Sequence, residues 1–79
     1  MAVEVTIPKL GLTMQEATVV RWLKQPGETV QSGEALLEIE TEKITCEVES
    51  PASGTLREIL VADGTVAPVA AVIGLIDPS

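Results

Sequence analysis

Two stretches of alternating residues mirror each other about Glu42 and Lys43, and this pattern limits how the chain can fold. If the stretches pair as antiparallel strands with these two residues at the centre of the turn, small and apolar residues share one face: Thr41–Ile44, Ile39–Cys46 and Leu37–Val48. The other face then contains Glu40–Thr45, Glu38–Glu47 and Leu36–Glu49. A slip of one residue would turn every side chain over. The pattern therefore predicts a β-hairpin with Lys43 at its exposed tip.

Turn signals divide the rest of the chain into short strands. Pro26-Gly27 and Asp63-Gly64 are typical turn pairs, and they separate short apolar segments. The predicted strands cover residues 3–7, 18–24, 29–30, 35–41, 44–50, 55–61, 65–66 and 71–76. No segment shows a helical period long enough to compete. The sequence therefore predicts an all-β fold.

An internal repeat suggests that the fold has two similar halves. At an offset of 36 residues, Val20-Arg21 aligns with Leu56-Arg57 and Thr29-Val30 aligns with Thr65-Val66. Nearer the start of the chain the offset becomes 43, which leaves seven additional residues in the first half, between Lys9 and Thr18. The repeat predicts a flattened β-barrel or sandwich of two small antiparallel sheets with pseudo-two-fold symmetry.

Composition excludes several classes of function. The chain of 79 residues is expected to form one domain over residues 1–76, with the beginning of a linker at 77–79. It has no histidine, which is the commonest general acid or base and a common metal ligand, so neither catalytic residues nor a metal site are expected. A single cysteine, a start of the sequence without the pattern of a signal peptide and no long apolar stretch indicate a cytoplasmic domain that does not cross a membrane. The isolated domain is expected to be a monomer. The net charge of −7 disfavours binding to nucleic acid.

Ten residues fall at the spacing of the lipoyl-attachment pattern: Gly27, Val30, Leu36, Ile39, Lys43, Ile44, Thr45, Val48, Gly54 and Leu56. The segment Glu40-Thr41-Glu42-Lys43 resembles the Glu-Thr-Asp-Lys tip of that family. From about Val3 to Ile76 the chain is similar to the lipoyl domain of a dihydrolipoyl acyltransferase in 2-oxo acid dehydrogenase complexes. The Glu-Lys-Ile tip looks more like that of acetoin dehydrogenase complexes.

The resemblance implies a carrier function without catalysis by the domain itself. Lys43 would bear lipoate, attached by a lipoate ligase or an octanoyl transferase. A thiamine-diphosphate-dependent decarboxylase would acylate the lipoyl group, an acyltransferase core would pass the acyl group to coenzyme A, and the flavoenzyme dihydrolipoyl dehydrogenase would reoxidise the dithiol. This swinging arm needs position and a high effective concentration, so the missing histidines do not matter.

The resemblance also implies roles for two further groups of residues. The modifying enzymes would recognise Glu40, Glu42, Gly27 and Gly54, although both glycines are equally well interpreted as turn residues. The loop that contains Leu10, Gly11, Leu12 and Met14 would contact the decarboxylase. Cys46 and Trp22 are interpreted as core residues.

Three alternatives remain open at this point. A biotin carrier shares the fold and a tip lysine, but its lysine lies between two methionines, whereas Lys43 lies between Glu42 and Ile44. An unmodified structural module of the same fold would leave Lys43 as an ordinary turn residue. A stand-alone enzyme is least favoured, since the serines Ser32, Ser50 and Ser53 have no histidine partner.

Overall fold

The computed structural model of the protein describes residues 2–9, 11, 14–42 and 44–78. Eight strands lie within these residues: β1 (Val3–Thr6), β2 (Glu16–Trp22), β3 (Thr29–Val30), β4 (Ala35–Glu40), β5 (Thr45–Glu49), β6 (Gly54–Ile59), β7 (Val66–Pro68) and β8 (Val72–Pro78). They form two antiparallel four-stranded sheets with the orders β1-β8-β6-β3 and β5-β4-β2-β7. The predicted fold class is confirmed, and each predicted strand overlaps an observed one.

The register of the β4–β5 hairpin agrees with the sequence pattern at four of its five pairs. Leu37 lies opposite Val48, Ile39 opposite Cys46, Glu38 opposite Glu47, and Glu40 opposite Thr45. The predicted pair of Leu36 with Glu49 is wrong, because Ala35 is the partner of Glu49 and the register shifts between Ala35 and Leu37. This bulge allows the consecutive residues Leu36 and Leu37 both to be fully buried, which strict alternation would forbid.

The two sheets are related by an internal repeat, but the predicted offset of 36 is wrong. The pair Val19–Ile39 in one sheet corresponds to Leu56–Ile76 in the other, and both members have moved by 37 positions. The shift between Val19 and Arg21 likewise corresponds to the shift between Leu56 and Glu58. The error arises because Val20-Arg21 and Leu56-Arg57 match by residue type, whereas the residue equivalent to Leu56 is Val19.

The connection between β1 and β2 is longer than its repeat partner by six residues rather than seven. β1 corresponds to β5 at an offset of 43, since the pair Val3–Ile76 matches Cys46–Ile39. Strands β2, β3 and β4 correspond to β6, β7 and β8 at an offset of 37. The difference between the two offsets is the additional length of the β1–β2 connection.

Four turns occupy equivalent places in the two halves. In each, the third residue has a positive φ: +96° at Gly27, +89° at Gly33, +84° at Gly64 and +72° at Ala70. The N–H of the fourth residue donates to the carbonyl of the first, over N–O distances of 2.9–3.2 Å: Glu28–Gln25, Glu34–Gln31, Thr65–Ala62 and Ala71–Pro68. These are features of type II turns, which favour glycine at the third position. Ala70 is the exception among the four.

The core is aliphatic around one aromatic residue. Trp22 is buried, its indole Nε1 donates to the Val61 carbonyl at 2.9 Å, and the ring lies over Gly74, where a Cβ would come within 2.8 Å of it. The interpretation of Trp22 as a core residue is confirmed, whereas Cys46 is half-buried and packs against the edge of this core. β8 continues through Asp77 and Pro78, which pair with Thr55 and Gly54 at the place where the linker was predicted to begin.

Within the described residues no helix has the length and hydropathy that a membrane crossing requires.

Candidate attachment site at the turn between β4 and β5

The candidate site is the turn that joins β4, which ends at Glu40, to β5, which begins at Thr45. Residues on both sides of Lys43 are described, whereas Lys43 itself lies outside the described residues, as do Leu10 and Leu12. The alternation of β4 and β5 requires Glu42 and Lys43 to be the two central residues. Thr41, Glu42 and Ile44 are the residues of this turn that the structure describes.

Backbone and side-chain hydrogen bonds join the two ends of the 41–44 turn. The Thr41 N–H donates to the Ile44 carbonyl at 2.8 Å. The Thr41 hydroxyl accepts the Ile44 N–H at 3.3 Å and lies 3.4 Å from the Ile44 carbonyl, to which it can donate. Thr41 is half-buried, while Glu42 and Ile44 are exposed. The turn thus exposes Glu42 and Ile44 to solvent while its two ends are hydrogen-bonded.

A negatively charged surface leads away from the turn along β4 and β5. The exposed carboxylates are Glu40, Glu42, Glu47 and Glu49. Glu38 lies directly opposite Glu47, but its Oε1 accepts a hydrogen bond from the Arg21 Nε at 2.8 Å. Arg21 therefore reduces the repulsion within the Glu38–Glu47 pair. The remaining acids produce a negative potential near the turn.

A groove with a volume of about 760 Å³ separates the 41–44 turn from the β1–β2 connection. Gly11 and Met14 line one side of it, and Glu40, Glu42 and Ile44 line the other. The described part of the predicted partner loop thus lies beside the turn. Met14 is half-buried and packs against the core, so it is less exposed than a residue of a free surface loop would be. The side chain of Met14 therefore has a packing role in addition to any contact with a partner.

The two glycines predicted to assist recognition have separate structural reasons. Gly27 has a positive φ and an open surrounding, so its backbone conformation is what favours glycine there. The interpretation of Gly54 as a turn residue is wrong, because Gly54 is the first residue of strand β6 and is not among the glycines with a positive φ. It is buried where β6 meets β8, and a Cβ at this position would lie 2.8 Å from the Cα of Pro78. Neither glycine lines the groove beside the turn. The structure thus gives each glycine a role in the backbone.

The lone cysteine belongs to the hairpin but not to its exposed surface. Cys46 lies opposite the buried Ile39, and burial raises the pKa of its thiol. A thiol with a raised pKa is a poor nucleophile at neutral pH because the thiolate is the reactive form. The residue that the sequence analysis overlooked is instead Thr41. The available signal was a threonine immediately before a two-residue turn, where a hydroxyl can replace a backbone hydrogen-bonding group.

Comparison with known proteins gives consistent results. Residues 3–76 match the biotin/lipoyl family described as biotin-requiring enzyme. The chain is 47% identical over 74 residues to the dihydrolipoyllysine-residue succinyltransferase component of the 2-oxoglutarate dehydrogenase complex of Rickettsia bellii, covering 94% of this chain and 18% of that protein. It is 43% identical over 75 residues to the dihydrolipoyllysine-residue acetyltransferase component of the pyruvate dehydrogenase complex of Corynebacterium glutamicum, covering 95% of this chain and 11% of that protein. The chain therefore spans less than a fifth of the length of either relative.

Two solved structures share the fold along their whole length. One is the lipoyl domain from the dihydrolipoyl succinyltransferase component of the 2-oxoglutarate dehydrogenase multienzyme complex of Escherichia coli, with a TM-score of 0.79 and 34% identity over 100% of this chain and 99% of that one. The other is the lipoyl domain of the 2-oxoglutarate dehydrogenase complex from Azotobacter vinelandii, with a TM-score of 0.77 and 30% identity over 99% of this chain and 100% of that one.

Proposed function

The chain belongs to the biotin/lipoyl-attachment family, and we propose that it is a carrier domain whose Lys43 bears lipoate in amide linkage. The observation that carries this proposal is the hairpin register, which leaves Glu42 and Lys43 between the hydrogen-bonded residues Thr41 and Ile44. The surroundings fit a tethered group, since Glu42 and Ile44 are exposed and the groove beside them is open.

In this proposal the domain supplies position rather than catalysis. Bound lipoate would contribute a dithiolane that accepts an acyl group together with two electrons. The β4–β5 hairpin holds the attachment point on two paired strands, so the tether can move while the backbone near it stays recognisable to partners. Tethering raises the effective concentration of the reactive group at each partner site. The cytoplasmic setting inferred from the single cysteine belongs to the same proposal.

The proposed partners are the components of a 2-oxo acid dehydrogenase complex. They are a thiamine-diphosphate-dependent decarboxylase, an acyltransferase core and dihydrolipoyl dehydrogenase. The relatives named above belong to 2-oxoglutarate and pyruvate dehydrogenase complexes, which supports this class of partner. The negative surface of Glu40, Glu47 and Glu49 would steer a positively charged partner toward the turn. The narrower assignment to an acetoin complex stays a prediction.

Lipoate is favoured over biotin by the residues that flank the lysine. The resemblance described above associates biotin with methionine on both sides, whereas this chain has Glu42 and Ile44. The relatives and solved structures named above are acyltransferase components and lipoyl domains, which also favours lipoate. An unmodified module of the same fold is the second alternative, and it predicts that no group is attached.

The test is to incubate the purified chain with lipoate, ATP and a lipoate–protein ligase, and in parallel with biotin, ATP and a biotin–protein ligase. Intact mass should show one lipoyl adduct and no biotinyl adduct, and peptide mapping should locate the lipoyl group on Lys43. Lys43→Arg should abolish the adduct without changing the thermal unfolding temperature. An adduct on Lys9 or Lys24, a biotinyl adduct, or no adduct at all would each refute the proposal.

The placement of the lysine should matter more than the charge of its neighbours. Exchanging Glu42 and Lys43 redirects the amine around the turn and should reduce the rate of lipoylation steeply, since misplacement by about 1 Å can slow a reaction about 100-fold. Glu42→Gln is the matched control, because it changes the charge and leaves the lysine in place. Equal rates for the exchanged chain and the unchanged chain would contradict this expectation.

A decarboxylase assay would identify the acyl group. The lipoylated domain would be presented to the pyruvate, 2-oxoglutarate and acetoin enzymes, each with its own substrate. The highest rate of reductive acylation identifies the cognate complex, and only a preference for the acetoin enzyme would support the narrower assignment.

A further inference from the structure

The 41–44 turn lacks the usual chemistry of a two-residue hairpin turn. Such turns are most often of type I′ or II′, and both types need a positive φ at the first central residue. Glu42 holds that place and is not among the described residues with a positive φ. The strands on both sides nevertheless keep their register up to Glu40 and Thr45. Besides the backbone bond from the Thr41 N–H to the Ile44 carbonyl, a side-chain interaction joins the two ends of the turn.

The hydroxyl of Thr41 provides this interaction. Within the described residues, the Ile44 N–H donates to the Thr41 Oγ1 at 3.3 Å, where a backbone carbonyl would accept it in a tighter turn. The same Oγ1 lies 3.4 Å from the Ile44 carbonyl, which also accepts the Thr41 N–H at 2.8 Å. One side chain thus bonds to both backbone groups of the residue that follows Lys43. A threonine hydroxyl can replace a backbone group in this way.

We propose that Thr41 is the positioning residue of the attachment site, and that its hydroxyl sets the backbone from which the Lys43 amine reaches the modifying enzyme. This inference rests on the proposed function, and it adds a residue whose contribution is geometric. Thr41 contacts neither lipoate nor the reacting atoms in this proposal. It acts through the backbone of Ile44.

The chemistry of attachment makes the orientation of the turn important. The amine nitrogen of Lys43 forms a bond to the carboxyl carbon of lipoyl adenylate, the bond from that carbon to the AMP oxygen breaks, and the amine loses a proton. ATP supplies the adenylate. Attack requires the amine to approach the carboxyl carbon in one direction, and a misplacement of about 1 Å can cost about 100-fold in rate. A turn whose ends are not bonded would therefore be modified slowly even if the ligase still bound it.

Removing the hydroxyl should not unfold the domain. Ile44 is 49% exposed, so water can replace the hydroxyl as the acceptor for its N–H. Valine keeps the branched shape of threonine and its preference for strands. The effect of Thr41→Val should therefore appear in lipoylation rather than in stability.

The experiment compares three variants by steady-state lipoylation with a lipoate–protein ligase, lipoate and ATP, at varied concentrations of the domain. Thr41→Val should lower kcat at least about tenfold with little change in KM, because the strands that the ligase binds are unchanged. Thr41→Ser keeps the hydroxyl and should restore most of the rate. Thr29→Val is the matched control, because Thr29 is an exposed threonine of β3 in the other sheet and its hydroxyl has no hydrogen-bond partner within the described part of the chain. It should behave like the unchanged chain.

Thermal unfolding of the same variants completes the test. A normal kcat for Thr41→Val, or a Thr41→Ser variant as slow as Thr41→Val, would overturn the proposal. So would loss of modification accompanied by global unfolding, because Thr41 would then be needed for the fold as a whole. The proposed function fails separately, if the unchanged chain is not lipoylated on Lys43.

Discussion

Replacing Ala70 with glycine should stabilise the protein. Ala70 has a φ of +72° at the third position of a turn, and its equivalent in the other half of the fold is Gly33, with a φ of +89°. The equivalence is supported by the contacts of both turns, since the Ala70 N–H donates to the Ile7 carbonyl and the Gly33 N–H donates to the Ser50 carbonyl. Ala70 is thus an alanine in a conformation that favours glycine.

The expected gain is the difference between two backbone effects. A residue with a Cβ costs about 1–2 kcal/mol in the left-handed region. Glycine loses more backbone entropy on folding, which costs about 0.4–1 kcal/mol relative to alanine. Ala70 is exposed and the hydrogen bond to Ile7 uses only its backbone, so neither packing nor hydrogen bonding opposes the change. Ala70→Gly should therefore raise the free energy of unfolding by about 1 kcal/mol, and the melting temperature by about 4–8 °C.

Gly33→Ala is the matched control and should have the opposite sign. A Cβ added at Gly33 has no other atom within 4 Å, so the substitution tests the backbone conformation alone. Urea unfolding would be followed by the fluorescence of Trp22, which is buried in the core, and by circular dichroism. A lower midpoint for Ala70→Gly, or an unchanged midpoint for Gly33→Ala, would refute the reasoning.

Four further outcomes are expected. Deleting residues 9–14 should leave a folded domain that is destabilised by about 1–2 kcal/mol, because the half-buried Met14 is lost. Once lipoylated, this shortened domain should be acylated slowly by its cognate decarboxylase. Normal acylation would exclude the loop as a partner contact. Glu47→Gln should leave the melting temperature unchanged or slightly higher, because Glu47 lies opposite Glu38, and a clear decrease would contradict this. Burial raises the pKa of the Cys46 thiol, so iodoacetamide at about pH 8 should alkylate Cys46 more slowly than the cysteine of an unstructured peptide. Equal rates would show that the Cys46 thiol is freely reactive. Hydrogen bonds from the Gln31 backbone and from Lys24 lower the pKa of Glu34. The ionised Glu34 carboxylate therefore stabilises the fold above its unfolded-state pKa, and this stabilisation is lost as the pH falls through the lower folded-state pKa. Glu34→Gln should lower the melting temperature at pH 7 but not near pH 2.

Much of the candidate site could be predicted from the sequence because it is made by a local hairpin. The alternation from Leu37 to Val48 is sufficient to set the register, since a slip would expose the apolar face. The closure of the turn by the Thr41 hydroxyl could not be predicted in the same way, because the alternation of strands carries no information about hydrogen bonds within a turn. The contact of Met14 with the core also depends on how the β1–β2 connection folds back.

The sequence by itself determined the all-β class, the approximate strands, the hairpin register and the existence of two similar halves, since each follows from periodicity and turn residues along the chain. Only the tertiary structure decided how the halves correspond. Matching by residue type aligns Thr29-Val30 with Thr65-Val66, yet Val30 is buried and Val66 is 52% exposed. The structural counterpart of Val30 is Ala67, which is also buried. The sheet pairing decides the correspondence, since Val30 lies opposite Gly54 and Ala67 lies opposite Ala17. Residue types along the chain do not record these partners, because which side chains face inward depends on how the two sheets pack together.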